Sequence, residues 1–72
     1  MKKSYTLIDL DCANCAAKME KNIKKIDGVN DATVSFLAQK LILDADDARF
    51  DEILKAATDV IRRVDADCRI KL

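Results

Sequence analysis

Tyr5-Thr6-Leu7-Ile8-Asp9-Leu10 runs directly into Asp11-Cys12-Ala13-Asn14-Cys15-Ala16, and the join between the two decides the fold. The first six residues are mostly apolar and β-favouring, which predicts a strand over Tyr5 to Leu10. From Ala13 to Ile26 the apolar residues Ala16, Met19, Ile23 and Ile26 fall at steps of three, four and three, the spacing of one helical face. Cys12 and Cys15 therefore sit where a strand hands over to a helix. At a helix start the first N–H groups lack partners and the dipole end is positive, so a thiol there ionises more readily and is poised to meet a cation.

Outward from this join, Asp27-Gly28 predicts the end of the helix, with Gly28 the only glycine in the chain and Lys24 and Lys25 suiting the negative dipole end. Val29 to Phe36 predicts a second strand, in which Ala32, Val34 and Phe36 alternate with Thr33 and Ser35. Lys40 to Asp44 predicts a third, around Leu41, Ile42 and Leu43, and Leu37-Ala38-Gln39 is short enough to join the two as a hairpin. Asp46-Asp47-Ala48 supplies capping acid before a second helix, whose apolar residues Phe50, Ile53, Leu54, Ala57, Val60, Ile61 and Val64 form one stripe. Cys68 to Leu72 predicts a last strand, with Cys68, Ile70 and Leu72 on one face and Arg69 and Lys71 on the other. The two halves open alike, Leu7-Ile8-Asp9-Leu10-Asp11 against Leu41-Ile42-Leu43-Asp44-Ala45-Asp46, a short internal repeat. The order β-α-β-β-α-β with right-handed crossovers predicts an α+β, ferredoxin-like domain over residues 1–72: a four-stranded antiparallel sheet with both helices on one face.

A chain of 72 residues allows one domain, near the lower limit for a core without cross-links. Lys plus Arg number 13 and Asp plus Glu number 13, and aromatic residues make up 4%. There is no field of one sign and no stacking surface, which excludes nucleic acid as a partner. No apolar run approaches the roughly 18 residues needed to cross a bilayer. Met1-Lys2-Lys3 is followed by Ser4-Tyr5-Thr6 rather than an apolar stretch, so no signal peptide is read and a cytosolic location is expected. Three cysteines, an odd count, in such a chain point to reduced thiols kept for chemistry.

Two thiolates holding a metal through bonds of ~2.3 Å need sulfurs roughly 3.5–4 Å apart, a separation that a two-residue spacer across a loop-to-helix turn supplies. Asp11 offers a carboxylate at the same rim. A hard oxygen beside two thiolates favours Zn²⁺ or Cd²⁺ over Cu⁺, and a divalent ion leaves less of the three negative charges to be solvated. A thioredoxin-type redox site expects a proline within or opposite the motif, and the chain has none. A zinc ribbon needs a second ligand pair, but there is no histidine and only Cys68 remains. Cys68 reads as core by its alternation, or as a third thiolate if the last strand runs antiparallel beside the first. Met19 reads as core. Asp11 is either a ligand or the cap of the first helix, with Asn14 as a rival cap. Lys18, Lys21, Lys24 and Lys25 against Glu20 make that helix basic, as a solvated face or as a docking surface for an acidic partner that passes or receives the ion.

With the strand order and the Leu10-Asp11-Cys12-Ala13-Asn14-Cys15-Ala16 run together, nearly the whole chain resembles the heavy-metal-associated domain of small metallochaperones and of heavy-metal P-type ATPases. The family pattern Gly-Met-(Thr or Asp)-Cys-x-x-Cys places its metal-ligating cysteines on Cys12 and Cys15. Asp9 and Leu10 stand where Gly and Met are common, and Asp11 stands where copper-handling members usually carry Thr. Copper-type members also tend to have a Gly-Tyr or Gly-Phe pair after the second helix, where this chain has Arg63-Val64-Asp65-Ala66-Asp67. The wording is most similar to zinc/cadmium/lead-exporting ATPases, in which the residue before the first cysteine is implied to be a ligand, here Asp11. The resemblance implies a monomeric cytosolic domain, not itself an enzyme, that carries Zn²⁺, Cd²⁺ or Pb²⁺ and works with the other domains of an export ATPase or with a metal-donor protein. A free-standing chaperone, including one for Cu⁺, is the alternative, with a thiol-redox protein behind it.

Overall fold

The computed structural model describes residues 1–71 and runs β1 (Lys2–Ile8), α1 (Ala13–Lys24), β2 (Val29–Ser35), β3 (Lys40–Ala45), a 3-10 turn (Asp47–Arg49), α2 (Phe50–Val64) and β4 (Arg69–Lys71). The sheet order is β2-β3-β1-β4 with every pairing antiparallel, the expected ferredoxin-like βαββαβ fold. Alternation sets the faces: Leu7 in β1, Ala32 and Val34 in β2, and Leu41, Leu43 and Ala45 in β3 are buried. They meet Ala16, Met19 and Ile23 of α1 and Phe50, Ile53, Ala57 and Ile61 of α2 in a single core. Each large side chain so buried contributes roughly 1.5–3 kcal/mol.

β1 begins earlier and ends earlier than its apolar run suggests. Lys2 and Lys3 pair with Asp44 and Leu43 although their side chains are exposed. Asp9 ends the strand by taking φ 63°, the left-handed region that a short polar side chain tolerates. Leu10 then enters the core from a loop and is 2% exposed. α1 stops at Lys24 rather than continuing to Ile26, because the backbone tightens: Lys25 N–H reaches Asn22 O, and Ile26 N–H donates to Ile23 O at 3.0 Å. Gly28 lies in the turn that follows, at φ +95°, where an added Cβ would stand 2.7 Å from Ile53 Cδ1. Glycine is therefore required there both by the backbone and by the close approach of α2.

α2 spans the predicted apolar stripe, but the capping acid does not act on it directly: Asp46 accepts from Ala48 N–H at the 3-10 turn, and α2 itself starts after Arg49 with no side-chain cap. β2 ends at Ser35, so Phe36 lies in the turn with its side chain exposed rather than on the core face. β3 runs one residue further, to Ala45. Cys68 is buried just before β4, whose proposed final residue, Leu72, falls outside the described residues. The apparent repeat does not extend to the backbone, since Leu41 to Asp44 stays in a strand whereas Asp9 turns away. β2 is a sheet edge, and Glu20 of α1 accepts the hydrogen bond of its Val34 N–H at 2.9 Å. No described helix is long and apolar enough to cross a membrane.

Candidate metal centre

The strand-to-helix loop places Cys12 at the N-cap of α1, with φ −129° and ψ 119°. Its carbonyl accepts the first helical bond, from Ala16 N–H at 3.1 Å, and its sulfur accepts from Cys15 N–H at 3.2 Å. The capping group is thus a thiol. This corrects the reading of Asp11 or Asn14 as cap: Asp11 stands one residue too early and Asn14 already lies within the helix. No acidic residue occupies the first turn of α1, so sulfur alone faces its positive end.

Cys12 and Cys15 are free thiols, both half-buried. The Cys15 N–H to Cys12 sulfur bond joins them, and their environments separate their acidities. The Cys15 thiol and backbone N–H lower the pKa of Cys12, with help from Asn14 N–H and the Lys18 ammonium. The adjacent Cys12 sulfur raises the pKa of Cys15, as do partial desolvation and the Asp65 carboxylate. Cys12 is therefore the more acidic of the two thiols.

Cys68 lies beneath. Antiparallel pairing of β4 with β1, Ile8 opposite Arg69, brings the start of β4 to this end of the molecule. The side chain is nonetheless fully buried, as its alternation predicts, and burial raises its pKa, with smaller contributions from Asp65, Asp9, Asp11 and Cys15. Met19 is likewise in the core, at 0% exposure. Asp11 is exposed, and with Asp9, Asp67 and Arg69 it lines a shallow polar groove beside the cysteine loop. Among the described residues no three Cys, Asp or Glu side chains are gathered closely enough to hold a metal. What stands ready is the sulfur pair. On the basic face of α1, Lys24 lies 3.9 Å from Glu20 and 4.0 Å from Asp31.

One residue at this end carried no sequence cue. Gln39, in the β2–β3 turn, reaches across to Leu10: its Nε2 donates to Leu10 O at 2.7 Å and its Oε1 accepts from Leu10 N–H at 3.2 Å. Glutamine is not a turn-forming residue by habit, and nothing in its surroundings along the chain announces the contact.

Residues 4–66 match the family described as the heavy-metal-associated domain. A probable cadmium-transporting ATPase of Staphylococcus aureus is 41% identical over 69 residues, covering 86% of this chain and 9% of the relative. A cadmium, zinc and cobalt-transporting ATPase of Bacillus subtilis is 46% identical over 46 residues, covering 64% of this chain and 7% of the relative. A zinc/cadmium/lead-transporting P-type ATPase of Escherichia coli is 42% identical over 43 residues, covering 60% and 6%. The chain thus spans less than a tenth of the length of these relatives. Among solved structures, the CopZ metallochaperone superposes with a TM-score of 0.77 at 20% identity, covering 99% of this chain and 100% of that one. The N-terminal domain of the copper(I) ATPase PacS gives 0.78 at 24% identity, covering 100% and 92%. At such identities the structures speak for the fold.

Proposed function

This chain belongs to the heavy-metal-associated domain family, and from that premise we propose that it binds Zn²⁺, Cd²⁺ or Pb²⁺ as cargo through Cys12 and Cys15, with Asp11 as a third donor, on the cytosolic face of a metal-exporting P-type ATPase. The observation that carries the reading is the pair of free thiols at the start of α1, joined by the Cys15 N–H to Cys12 sulfur bond, with the Cys12 pKa lowered. The donor set is soft and deprotonates readily at its first sulfur, which suits a thiophilic cation. The divalent assignment is supported by the carboxylate next to Cys12 and by the cadmium, zinc and lead named for the relatives.

Uptake of the ion requires both sulfurs as thiolates, so affinity rises with pH as Cys15 ionises. The Cys15 N–H that meets the Cys12 sulfur is a backbone donor and stays available to it when the ion is bound. Half-exposed sulfurs on a loop leave room for a donor from a partner to join before one of them leaves. The ion then passes by ligand exchange without being released into water.

One observation favours a second reading. No third donor is gathered with the sulfurs among the described residues, and Cu⁺ is content with two thiolates. A free chaperone or copper-handling domain is accordingly the alternative. Competitive titration of the reduced protein with Zn²⁺ and Cu⁺ separates the two. Asp11→Ala is expected to weaken Zn²⁺ binding at least about tenfold, ~1.4 kcal/mol, while leaving Cu⁺ affinity unchanged; equal Zn²⁺ affinity in parent and variant would remove Asp11 from the ligand set.

A further inference from the structure

Where the β1–β3 ladder ends, a side chain continues it. The last register pair is Thr6 with Lys40, after which Leu7 N–H donates to Gln39 O at 2.7 Å. Asp9 then turns the chain away, and no strand residue is left to pair with Leu10. The Gln39 amide takes that role, giving a donor to Leu10 O and an acceptor to Leu10 N–H as a neighbouring peptide group would. Its remaining N–H donates to Phe36 O at 2.7 Å, so both donors and the acceptor are used. Only this orientation of the amide fits, because the reverse would set its oxygen against two carbonyls.

We propose that Gln39 is a positioning residue for the metal-binding loop, clasping Leu10 so that Cys12, two residues on, is presented to the ion in a fixed place. The proposal rests on the reading of Cys12 and Cys15 as the ligands. Asp9 and Asp11, on either side of Leu10, are exposed, so the middle of the loop is held by the buried Leu10 side chain and by this clasp. The backbone of the turn does not account for a glutamine. Gln39 has φ 53°, a region that Gly or Asn enters more easily.

That strain supplies a discriminating variant. Gln39→Gly suits the turn and deletes the clasp, so the fold is kept while the loop is freed; Gln39→Glu keeps an acceptor but turns a carboxylate toward the carbonyls of Leu10 and Phe36. In the metal-free protein both variants are expected to keep the parent's circular dichroism, and Gln39→Gly to speed Leu10 amide hydrogen exchange about tenfold, the loss of roughly one hydrogen bond. Loaded with Cd²⁺ and mixed with excess chelator, both are expected to surrender the ion several-fold faster than the parent. Ile53→Val, which loosens the core beside Gly28, beyond the far end of α1, should leave that transfer rate alone. Unchanged Leu10 exchange in Gln39→Gly, or transfer within twofold of a Cd²⁺-loaded parent, overturns the role of Gln39. A parent that takes up no Cd²⁺ would overturn the metal reading itself, a separate and recognisable result.

Discussion

The two helices of this small fold begin in opposite chemical company. α2 is led in by a 3-10 turn whose Asp46 carboxylate accepts from Ala48 N–H at 3.1 Å, and Asp51 and Glu52 fill its first turn. Arg49 braces the same corner, 3.3 Å from Asp27 and 3.7 Å from Glu52. Its positive end is answered permanently by carboxylates. α1 has no acid in its first turn and is capped by the Cys12 sulfur. Oxygen is the better cap, and the approach to α2 uses it at Asp46, although α2 itself has no side-chain cap, whereas the N-cap of α1 is a sulfur. The difference sets the proposed metal end apart from the rest of the fold without reference to any relative.

Exchanging the cap atoms is the strongest way to break that contrast. Cys12→Asp restores an oxygen cap to α1, so the metal-free variant is expected to be at least as stable as the parent in urea unfolding. Its Cd²⁺ affinity is expected to fall at least about a hundredfold, ~2.7 kcal/mol; parental affinity would show that sulfur at this position is only a cap. The converse change, Asp46→Ala, should cost ~1 kcal/mol of stability with no effect on metal binding, measured by the same unfolding curve and titration.

The smallest effect sharpens the contrast within α1. Limited alkylation followed by peptide mapping is expected to label Cys12 several-fold ahead of Cys15 and to spare Cys68 in the folded protein, because the thiolate is the reacting form. A lowered Cys12 pKa means that its stabilising contribution is present above the ordinary thiol range and is lost as pH falls through its folded value. The raised Cys15 pKa works the other way, its contribution being present below that range and lost as pH rises through its own folded value. The labelling preference should therefore narrow as pH climbs and Cys15 ionises too. Equal labelling at neutral pH would show that the two sulfurs do not differ in acidity.

Periodicity made much of this legible. The stripe from Phe50 to Val64 located α2, and the handover at Cys12 put the thiol pair at a helix start. What was hidden followed from contacts that periodicity does not encode. Lys2 and Lys3 join β1 through backbone pairing with β3, which their exposed, charged side chains do not advertise. Only Asp11 and Asn14 stood out as cap candidates because capping preferences are preferences for oxygen, and the sulfur of Cys12 took the position instead. Gln39 was invisible because its two partners with Leu10 lie 29 positions away in the chain. Adjacency of Asp11 to Cys12 is a fact of sequence, but where a carboxylate points is settled by the loop.

Glu20 also bears on how these domains behave in company. By occupying the outward N–H of Val34, it closes the rim of β2 against a strand from a neighbouring molecule, and the opposite rim is only three residues long, with Arg69 and Lys71 exposed on it. Copies of this domain at high concentration can thus jostle without zipping into fibrils, so that encounters between them are decided by loops and helices instead of by sheet growth.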